Sequence, residues 1–200
     1  DLHSFPTRRS SDLLVKLLKK AGPLDIKMIC PTHGPVLTEN LGHYLTLYNT
    51  WSSYEPETEG VVIAYASIYG HTREAVQLLE KLLKEKGLTV VLHDLTKEHV
   101  SYAVADAFRY SQLVLATTTY TATIFPAMSF FIEHLVERNF QNRNVAFIEN
   151  GSWAPLAKKV MAQKLEKSKL SYAKQSVTIK SALCPRSIKE IETLADELSK

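Results

Sequence analysis

Five short apolar runs alternate with amphipathic helical patterns from residue 61 to residue 200, and this alternation constrains the fold more than any other feature. The apolar runs predict strands near 61–66, 88–93, 112–117, 144–149 and 174–180. The segments between and after them predict helices near 72–86, 98–108, 124–138, 154–168 and 187–199. Runs as apolar as VVIAY, LVLA and VAFI are typical of strands buried on both faces. The pattern therefore predicts a five-stranded parallel sheet between two layers of helices, a three-layer α/β/α fold.

The loops after the first, third and fourth strands are the predicted ligand-binding loops. In such sheets, ligands bind beyond the carboxyl ends of the strands, where the strand order reverses. Loop one is SIYGHT (67–72), loop two is TTTYTATIFP (117–126) and loop three is ENGSWAP (149–155). The loops are rich in hydroxyl, aromatic and turn-forming residues, and loops two and three end in a proline suited to a helix start. Together they predict a site for a flat, polar heteroaromatic ring that carries a phosphate.

Loop one has the composition of a phosphate-binding turn. The start of a helix offers unpaired N–H groups and the positive end of the helix dipole, and both stabilise a phosphate dianion. We predict that Thr72 is the N-cap and that the hydroxyls of Ser67, Tyr69 and Thr72 contact the phosphate. The loop lacks the GKS or GKT ending of a P-loop and the GxGxxG of a dinucleotide-binding fold. The alternative is a capped strand-to-helix turn without a ligand.

The composition suits one good hydrophobic core and a smaller second module, since 45% of the 200 residues are hydrophobic and 22% are charged. No run approaches the roughly 18 apolar residues that a membrane span needs, and no signal-peptide pattern is present, so we expect a cytoplasmic protein without membrane contact. Cys30 and Cys184 lie outside any CxxC spacing and are expected to be free thiols. From residue 61 onward, 18 Lys and Arg stand against 14 Asp and Glu, a mild excess without a concentrated stripe that gives no case for nucleic-acid binding.

The first 60 residues do not continue the strand and helix alternation. Residues 1–12, DLHSFPTRRSSD, match neither the helix nor the strand period, and we expect them to be a non-native segment. Short elements follow: the end of a helix at 13–20, a strand at 26–29 and an aromatic-rich helix at 41–51. Because these elements cannot bury a core alone, we expect residues 13–53 to be the C-terminal remnant of a larger domain and residues 54–60 to be a linker.

The order of these segments, together with the three loops, resembles the flavodiiron proteins, also called A-type flavoproteins. Residues 61–200 resemble their flavodoxin domain, and residues 13–53 resemble the end of the metallo-β-lactamase-like diiron domain that precedes it. The resemblance implies the strand order 2-1-3-4-5. The length of chain after the fourth strand predicts the short form of the flavodoxin fold, without a long insertion in the fifth strand.

The resemblance also implies that the cofactor is FMN and indicates which residues hold it. The phosphate contacts carry over to Ser67, Ile68, Tyr69, Gly70, His71 and Thr72. The ring contacts carry over to Thr118, Thr119, Tyr120, Thr121 and Ala122 in loop two, and to Asn150, Gly151, Ser152 and Trp153 in loop three. Tyr120 and Trp153 are the candidates for stacking on the flavin, with ordinary packing as the alternative. His71 is the candidate for modulating the charge of the flavin, with simple exposure as the alternative.

The segment CPTHG matches the CPxHG segment of the family, so His33 corresponds to the last of its iron-binding histidines. The HxExDH cluster that carries other iron ligands is absent from this sequence. A single imidazole cannot assemble a two-metal site, which needs several histidine and carboxylate ligands. We therefore expect His33 to be an orphaned ligand, and we expect the chain to hold flavin without functional iron.

For the full-length family, the resemblance implies an oxidoreductase. FMN accepts electrons from rubredoxin or a reductase and passes them to a diiron site, which reduces O2 to water or NO to N2O; the subunits form a homodimer. For this chain alone we expect electron transfer. Two alternatives remain open: a stand-alone flavodoxin-type carrier, which the basic charge balance weakens, and a flavodoxin-fold interaction module that binds no flavin.

Overall fold

The computed structural model describes residues 8–32 and 34–200, with side chains described from residue 13 onward apart from residue 33. The strands are β1 (Thr58–Tyr65), β2 (Val90–Asp94), β3 (Tyr110–Tyr120), β4 (Thr123–Ile124), β5 (Asn144–Asn150), β6 (Ser171–Tyr172) and β7 (Val177–Ile179). The sheet order is β2-β1-β3-β5-β6, with β7 also paired to β5. All of these pairs are parallel, and only the short β4 pairs antiparallel, with β3. The main strands thus follow the predicted order 2-1-3-4-5, with the fifth strand in two pieces.

Helices cover both faces of the sheet. The helices of the described residues are α1 (Arg8–Ala21), α2 (Leu41–Ser53), α3 (His71–Glu85), α4 (Val100–Arg109), α5 (Pro126–Glu137), α6 (Ala157–Lys164) and α7 (Pro185–Leu198), and α3 to α7 are those that pack on the sheet. On one face, α4, α5 and α6 share a buried cluster with Leu115 and Phe131. On the other face, α3 and α7 share a cluster with Ile63 and Leu79. The predicted three-layer α/β/α fold is confirmed.

The central strands bury their side chains on both faces, as their continuous apolar runs predicted. In β1 and the residue after it, residues 61–66 are all between 0% and 5% exposed. The chain passes from β1 outward to β2 and then returns to β3 on the other side of β1. This reversal leaves a crevice at the carboxyl ends of β1 and β3, which is where sheets of this kind bind ligands.

Only part of the predicted strand at 174–180 forms, as β7 (Val177–Ile179), and the short β6 (Ser171–Tyr172) lies before the predicted range. β6 pairs with the start of β5 and β7 pairs with its end. Between them, the N–H groups of Lys174 and Gln175 donate to the carboxylate of Glu197 at 2.8 and 2.9 Å. Because a side chain of α7 takes these two donors, the chain leaves the sheet here, and the apolar pattern alone does not reveal it.

The start of α7 also differs from its prediction. The predicted helix near 187–199 starts at Ser187, which with Glu190 has the spacing of a capping box, but α7 begins at Pro185 and its N-cap is Cys184. The capping box joins Cys184 and Ser187, whose hydroxyl accepts the N–H of Cys184 at 2.9 Å. Proline is favoured at the first helical position, so the helix starts there. Glu190 instead accepts the N–H of Thr178 at 3.0 Å.

The segment before β1 differs from the prediction in two places. α1 begins at Arg8, so the expectation that the first twelve residues fit no helix period is wrong for residues 8–12. The strand predicted at 26–29 is a single bridge between Ile29 and Leu37. The domain boundaries and the non-native origin of residues 1–12 stay predictions, and residues 1–7 lie outside the described part.

Two predictions on the chain as a whole concern membranes and thiols. Among the described residues, no helix is long and apolar enough to cross a membrane. Cys30 and Cys184 are free and exposed, as their spacing predicted. Hydrogen bonds from the backbone N–H and the hydroxyl of Ser187 hold the pKa of the Cys184 thiol below its usual value.

Candidate functional site

A cavity of about 430 Å³ opens at the carboxyl ends of β1, β3 and β5. This volume lies within the range of small-molecule sites, roughly 300–1,000 Å³. The cavity brings together most of the predicted site residues and one residue that was not predicted, Ser181. The lining residues are Ser67, Ile68, Tyr69, His71, Thr72, Thr118, Thr119, Tyr120, Asn150, Gly151, Ser152 and Ser181.

Loop one leaves backbone donors open at the start of α3. The N-cap is Gly70, whose φ of 96° lies in the left-handed region that glycine adopts at low cost. The N–H of Arg73 donates to the Ser67 hydroxyl at 3.3 Å. The N–H groups of His71 and Thr72 have no acceptor within the described residues. These open donors, together with the helix dipole, suit a bound anion.

Thr72 is not the N-cap, contrary to the prediction. It is the second residue of α3 and is 2% exposed. Because Gly70 takes the left-handed turn, the cap lies two residues earlier than the hydroxyl pattern indicates. The Thr72 hydroxyl accepts a long hydrogen bond of 3.5 Å from Nδ2 of Asn150. Its own proton remains available to a ligand in the cavity.

His71 lies at the cavity with its side chain 43% exposed. Its Nδ1 is 3.5 Å from Oε2 of Glu74, which is close enough for an ion pair when the imidazole is protonated. The same nitrogen makes no hydrogen bond to the described residues. The imidazole is therefore weakly held, and its effect on flavin charge stays a prediction.

Loop two folds back on β3 as a tight hairpin. Tyr120 pairs with Thr123, and the two residues between them, Thr121 and Ala122, have φ values of 48° and 57°. Two-residue turns of this kind are usually built from Asn and Gly, and a β-branched residue there is strained. The ring of Tyr120 lines the cavity and packs edge-on against Phe125, with the ring centroids 5.5 Å apart. Thr121 and Ala122, which were predicted to contact the ring, lie outside the lining.

The hydroxyls of Thr118 and Thr119 already have partners within the protein. Thr119 Oγ1 accepts the N–H groups of Leu156 and Ala157 at 2.9 and 3.2 Å, at the start of α6. Thr118 Oγ1 donates to the carbonyl oxygen of Asn150 at 3.3 Å. These bonds tie loop two to loop three, which is a role that the resemblance did not indicate.

Asn150 connects three loops through its side-chain amide. Its Nδ2 donates to the carbonyl of Ser181 at 3.0 Å, and its Oδ1 accepts the N–H of Ser181 at 3.1 Å. The same Nδ2 reaches Thr72 in loop one. Ser181, in the segment that follows β7, therefore forms a fourth wall of the site. A signal was present, because β7 is parallel to β5 and ends at the same edge of the sheet.

Loop three has one residue whose identity the packing requires. A Cβ on Gly151 would lie 3.1 Å from Cα of Pro155 and 3.2 Å from Oγ1 of Thr119. Trp153, by contrast, is 95% exposed and lies outside the cavity lining. Its predicted contact with the ring stays a prediction.

Glu149 was missed as a residue that supports loop three. It is 8% exposed, and Oε2 accepts the N–H of Lys158 at 2.9 Å near the start of α6. Its Oε1 accepts the hydroxyl of Thr178 at 3.0 Å. A carboxylate at a helix N-terminus is also stabilised by the helix dipole. Glu149 therefore ties the start of loop three to α6 and to β7.

The iron assignment concerns His33, which lies outside the described residues. In the part of the chain that the structure describes, no three His, Cys, Asp or Glu residues are grouped so as to hold a metal ion. The match of His33 to an iron ligand therefore stays a prediction.

The comparison with known protein families decides the classification. Residues 62–185 match the family described as "Flavodoxin domain". The chain belongs to this family. The matched segment runs from β1 to the start of α7, so this flavodoxin domain contains all three predicted binding loops and Ser181.

Solved structures and curated relatives extend the likeness to the residues before β1. Rubredoxin oxygen:oxidoreductase from Desulfovibrio gigas covers 96% of this chain with a TM-score of 0.85 and 19% identity, and a flavo-diiron protein mutant from Thermotoga maritima covers 94% with a TM-score of 0.81 and 23% identity. An uncharacterized protein of Methanocaldococcus jannaschii is 24% identical over 98% of the chain. A nitric oxide reductase of Moorella thermoacetica is 24% identical over 80% of the chain. The predicted resemblance to flavodiiron proteins is confirmed.

The matched proteins are longer than this chain. The match covers 50% of the Methanocaldococcus protein and 40% of the Moorella reductase. It covers 48% and 47% of the two solved chains. The chain thus corresponds to about half of each of these proteins, and whatever the other half does is not carried over to it.

Proposed function

We propose that this flavodoxin domain binds FMN and transfers electrons through it. The observation that carries the proposal is the cavity at the switch point of the sheet, where loop one places open N–H groups at the start of α3. The chemistry of the cavity fits FMN. One end of the cavity is an anion site, and the other end has Tyr120 beside the polar backbone of loops two and three. The likeness to flavodiiron proteins supports the same ligand.

Different residues of the chain would bind the phosphate and the ring of FMN. The N–H groups of His71 and Thr72, with the hydroxyls of Ser67 and Thr72, would bind the phosphate. Tyr120 would cover part of the ring. When bound, the flavin supplies the redox chemistry, while the protein supplies binding, orientation and electrostatics. Asn150 would act on the ligand indirectly, because its amide is already committed to Ser181.

In a longer protein, the domain would deliver electrons to a diiron site that reduces O2 to water or NO to N2O. The names of the relatives support this extension, since one is a rubredoxin oxygen:oxidoreductase and another a nitric oxide reductase. We propose rubredoxin or a reductase as the electron donor, and a homodimer as the assembly of the longer protein. The cytoplasm, predicted from the composition, is the proposed compartment.

Binding of FMN and of riboflavin tests the proposal, because the two ligands differ only in the phosphate. Thr72→Val removes a hydroxyl at the anion end, so we expect FMN affinity to fall by about tenfold or more, the worth of one hydrogen bond to a charged group. Riboflavin affinity should change little. Quenching of flavin fluorescence during titration measures both constants.

Thr193→Val is the matched control, because Thr193 lies on the exposed side of α7 and, within the described residues, its hydroxyl bonds only the carbonyl of Lys189 in the same helix. It should leave both affinities unchanged. Equal losses of affinity for FMN and for riboflavin in Thr72→Val would show that Thr72 does not contact the phosphate. Failure of the unaltered chain to bind either flavin would refute the proposed function itself.

A further inference from the structure

Positive charge is concentrated along one edge of the sheet. Between residues 150 and 189 there are nine Lys and Arg and one acidic residue, Glu166. This segment forms α6, β6, β7 and the start of α7, beside β5. At the opposite edge, residues 71–109 carry six basic and six acidic residues. The excess is mild over the whole chain, as the sequence count indicates, and most of it lies on this side of the fold.

Five of these cations lie at the end of the edge where the cavity opens. Two are in the first turn of α6, one directly follows β7, and two are in the first two turns of α7. We call this set the basic rim; it consists of Lys158, Lys159, Lys180, Arg186 and Lys189. The rim adjoins the cavity through Ser181, which lines the cavity and follows Lys180 in the chain.

The basic rim is only partly neutralised. Arg186 pairs with Glu190 at 2.8 Å. Lys158 Nζ donates to the hydroxyl of Ser176 at 2.8 Å, a neutral partner that leaves its charge uncompensated. Three further cations are exposed and likewise form no ion pair within the described residues: Lys159, Lys180 and Lys189. Uncompensated charge beside a cavity raises the local concentration of negatively charged partners and speeds their association.

We propose that the basic rim is the docking surface for an acidic electron-donor protein. This inference rests on the proposed function, because it places the donor beside bound flavin. The reduced donor loses one electron and the flavin gains it. An exposed aromatic residue supplies the apolar contact that protein interfaces favour: Trp153, at 95% exposure, lies in the loop between the cavity and α6. Complementary charge then sets the encounter rate more than the final affinity.

Charge reversal at two positions of the rim tests the proposal. In the full chain loaded with FMN, Lys159→Glu combined with Lys180→Glu changes the rim from basic towards acidic. The matched control is Lys167→Glu combined with Lys169→Glu, which changes the net charge equally. These two lysines are exposed in the same basic segment but precede β6, at the base of the sheet and away from the cavity. Circular dichroism and FMN titration verify that both variants fold and bind flavin.

The probe is an acidic rubredoxin, used both as isolated and with its surface carboxylates converted to amides. Stopped-flow bleaching of the flavin by reduced rubredoxin gives the rate constant, and titration of the two oxidised proteins gives the affinity. At low salt, we expect the rim variant to react about tenfold more slowly than the unaltered chain. The loss should shrink at high salt, and the control should keep most of the rate. Amidated rubredoxin should reduce the unaltered chain, the rim variant and the control at the same rate.

Three results would overturn the docking proposal. One is an equal loss of reduction rate in the rim variant and in the control. Another is a reduction rate that depends on neither the salt concentration nor the charge of the rim. The third is that the rim binds a short DNA duplex in a salt-sensitive way while the chain does not bind rubredoxin. That result would make the rim a nucleic-acid surface. Reduction of the bound flavin by dithionite in every variant separates this failure from a failure of FMN binding.

Discussion

At the scale of single residues, the end of β2 holds a carboxylate whose charge contributes to stability. Asp94 accepts hydrogen bonds from the Tyr65 hydroxyl at 3.1 Å and from the N–H and hydroxyl of Thr96 at 3.1 and 2.5 Å. Burial alone would raise the pKa of Asp94, but these hydrogen bonds and the charge of Lys97 outweigh it, so the pKa is lowered. Burial and the charge of Asp94 raise the pKa of Tyr65 to about 12. The carboxylate is thus ionised and the phenol neutral at neutral pH.

Acid should therefore remove part of the stability. A folded pKa below the unfolded value of about 3.9 means that Asp94 stabilises the fold above that pH, and that this contribution is lost as the pH falls towards the folded pKa. Asp94→Asn should lower the free energy of unfolding by about 2 kcal/mol at neutral pH. The difference from the unaltered chain should shrink below about pH 4. Urea unfolding across a pH series measures it.

Asp25→Asn is the control for this prediction. The Asp25 side chain is 80% exposed, and among the described residues it pairs only with Lys27, at 2.8 Å. Exposed pairs of this kind contribute little, so no clear change is expected at any pH. If Asp94→Asn lowers the free energy of unfolding by the same amount at every pH, the charge of Asp94 does not contribute to stability and only its shape does.

The sequence was a good guide to which residues meet at the site and a poorer guide to what each does. Loops that follow parallel strands meet at one edge of the sheet, so Ser67, Tyr120 and Asn150 could be grouped from the strand pattern alone. The roles depend on hydrogen-bond geometry that the pattern does not contain. Asn150 turns to Ser181 rather than outward, and Thr72 lies inside α3 because Gly70 takes the cap.

At the scale of elements, the hairpin of β3 and β4 stores backbone strain beside the cavity. Thr121 and Ala122 both hold left-handed φ values, and such residues cluster at ligand sites in folded proteins. Asparagine tolerates this conformation far better than a β-branched threonine. Thr121→Asn should therefore stabilise the flavin-free protein by about 1 kcal/mol, as measured by urea or thermal unfolding.

The neighbouring Thr123→Asn provides the comparison. Thr123 belongs to β4, is exposed and is not among the residues with positive φ. Asparagine is disfavoured in strands, so this change should give a small loss of stability rather than a gain. If both substitutions shift stability in the same direction, strain at Thr121 is not the cause.

The elements that the sequence predicted are those that bury a continuous apolar run. β1, β3 and β5 lie in the middle of the sheet, so their composition alone carries the signal. β4 and the break between β6 and β7 depend instead on particular contacts. β4 forms only because two residues without a turn signature adopt left-handed φ, and the break forms because Glu197 binds two N–H groups of the strand.

At the scale of the whole molecule, one buried cation attaches the segment before β1 to the flavodoxin core. Arg143 is 2% exposed, and its guanidinium donates to the carbonyls of Tyr54 at 2.5 Å and of Tyr110 at 2.8 Å, and also to that of Phe108. Tyr54 is the C-cap of α2, whereas the other two carbonyls belong to α4 and β3. Burial lowers the pKa of Arg143 to about 10, against the opposing charges of Glu55 and Glu57, so it remains charged at neutral pH. The cation therefore fixes α2 to the sheet through carbonyl oxygens.

Arg143→Lys tests whether this single side chain sets the attachment of α2. A lysine keeps the charge but lacks the planar fork that reaches several carbonyls at once, so at least one carbonyl should lose its donor. We expect the free energy of unfolding to fall by about 2 kcal/mol. Hydrogen exchange should speed up in α2 while the amides of β1, β3 and β5 keep their protection. The control is Arg138→Lys at the end of α5. Among the described residues its guanidinium contacts neighbours in its own turn: the carbonyl of His134 at 3.0 Å, Nδ1 of His134 at 2.9 Å and the carboxylate of Glu137 at 3.7 Å. Faster exchange throughout the chain, or an unchanged α2 in Arg143→Lys, would mean that α2 is held by its packing rather than by this cation.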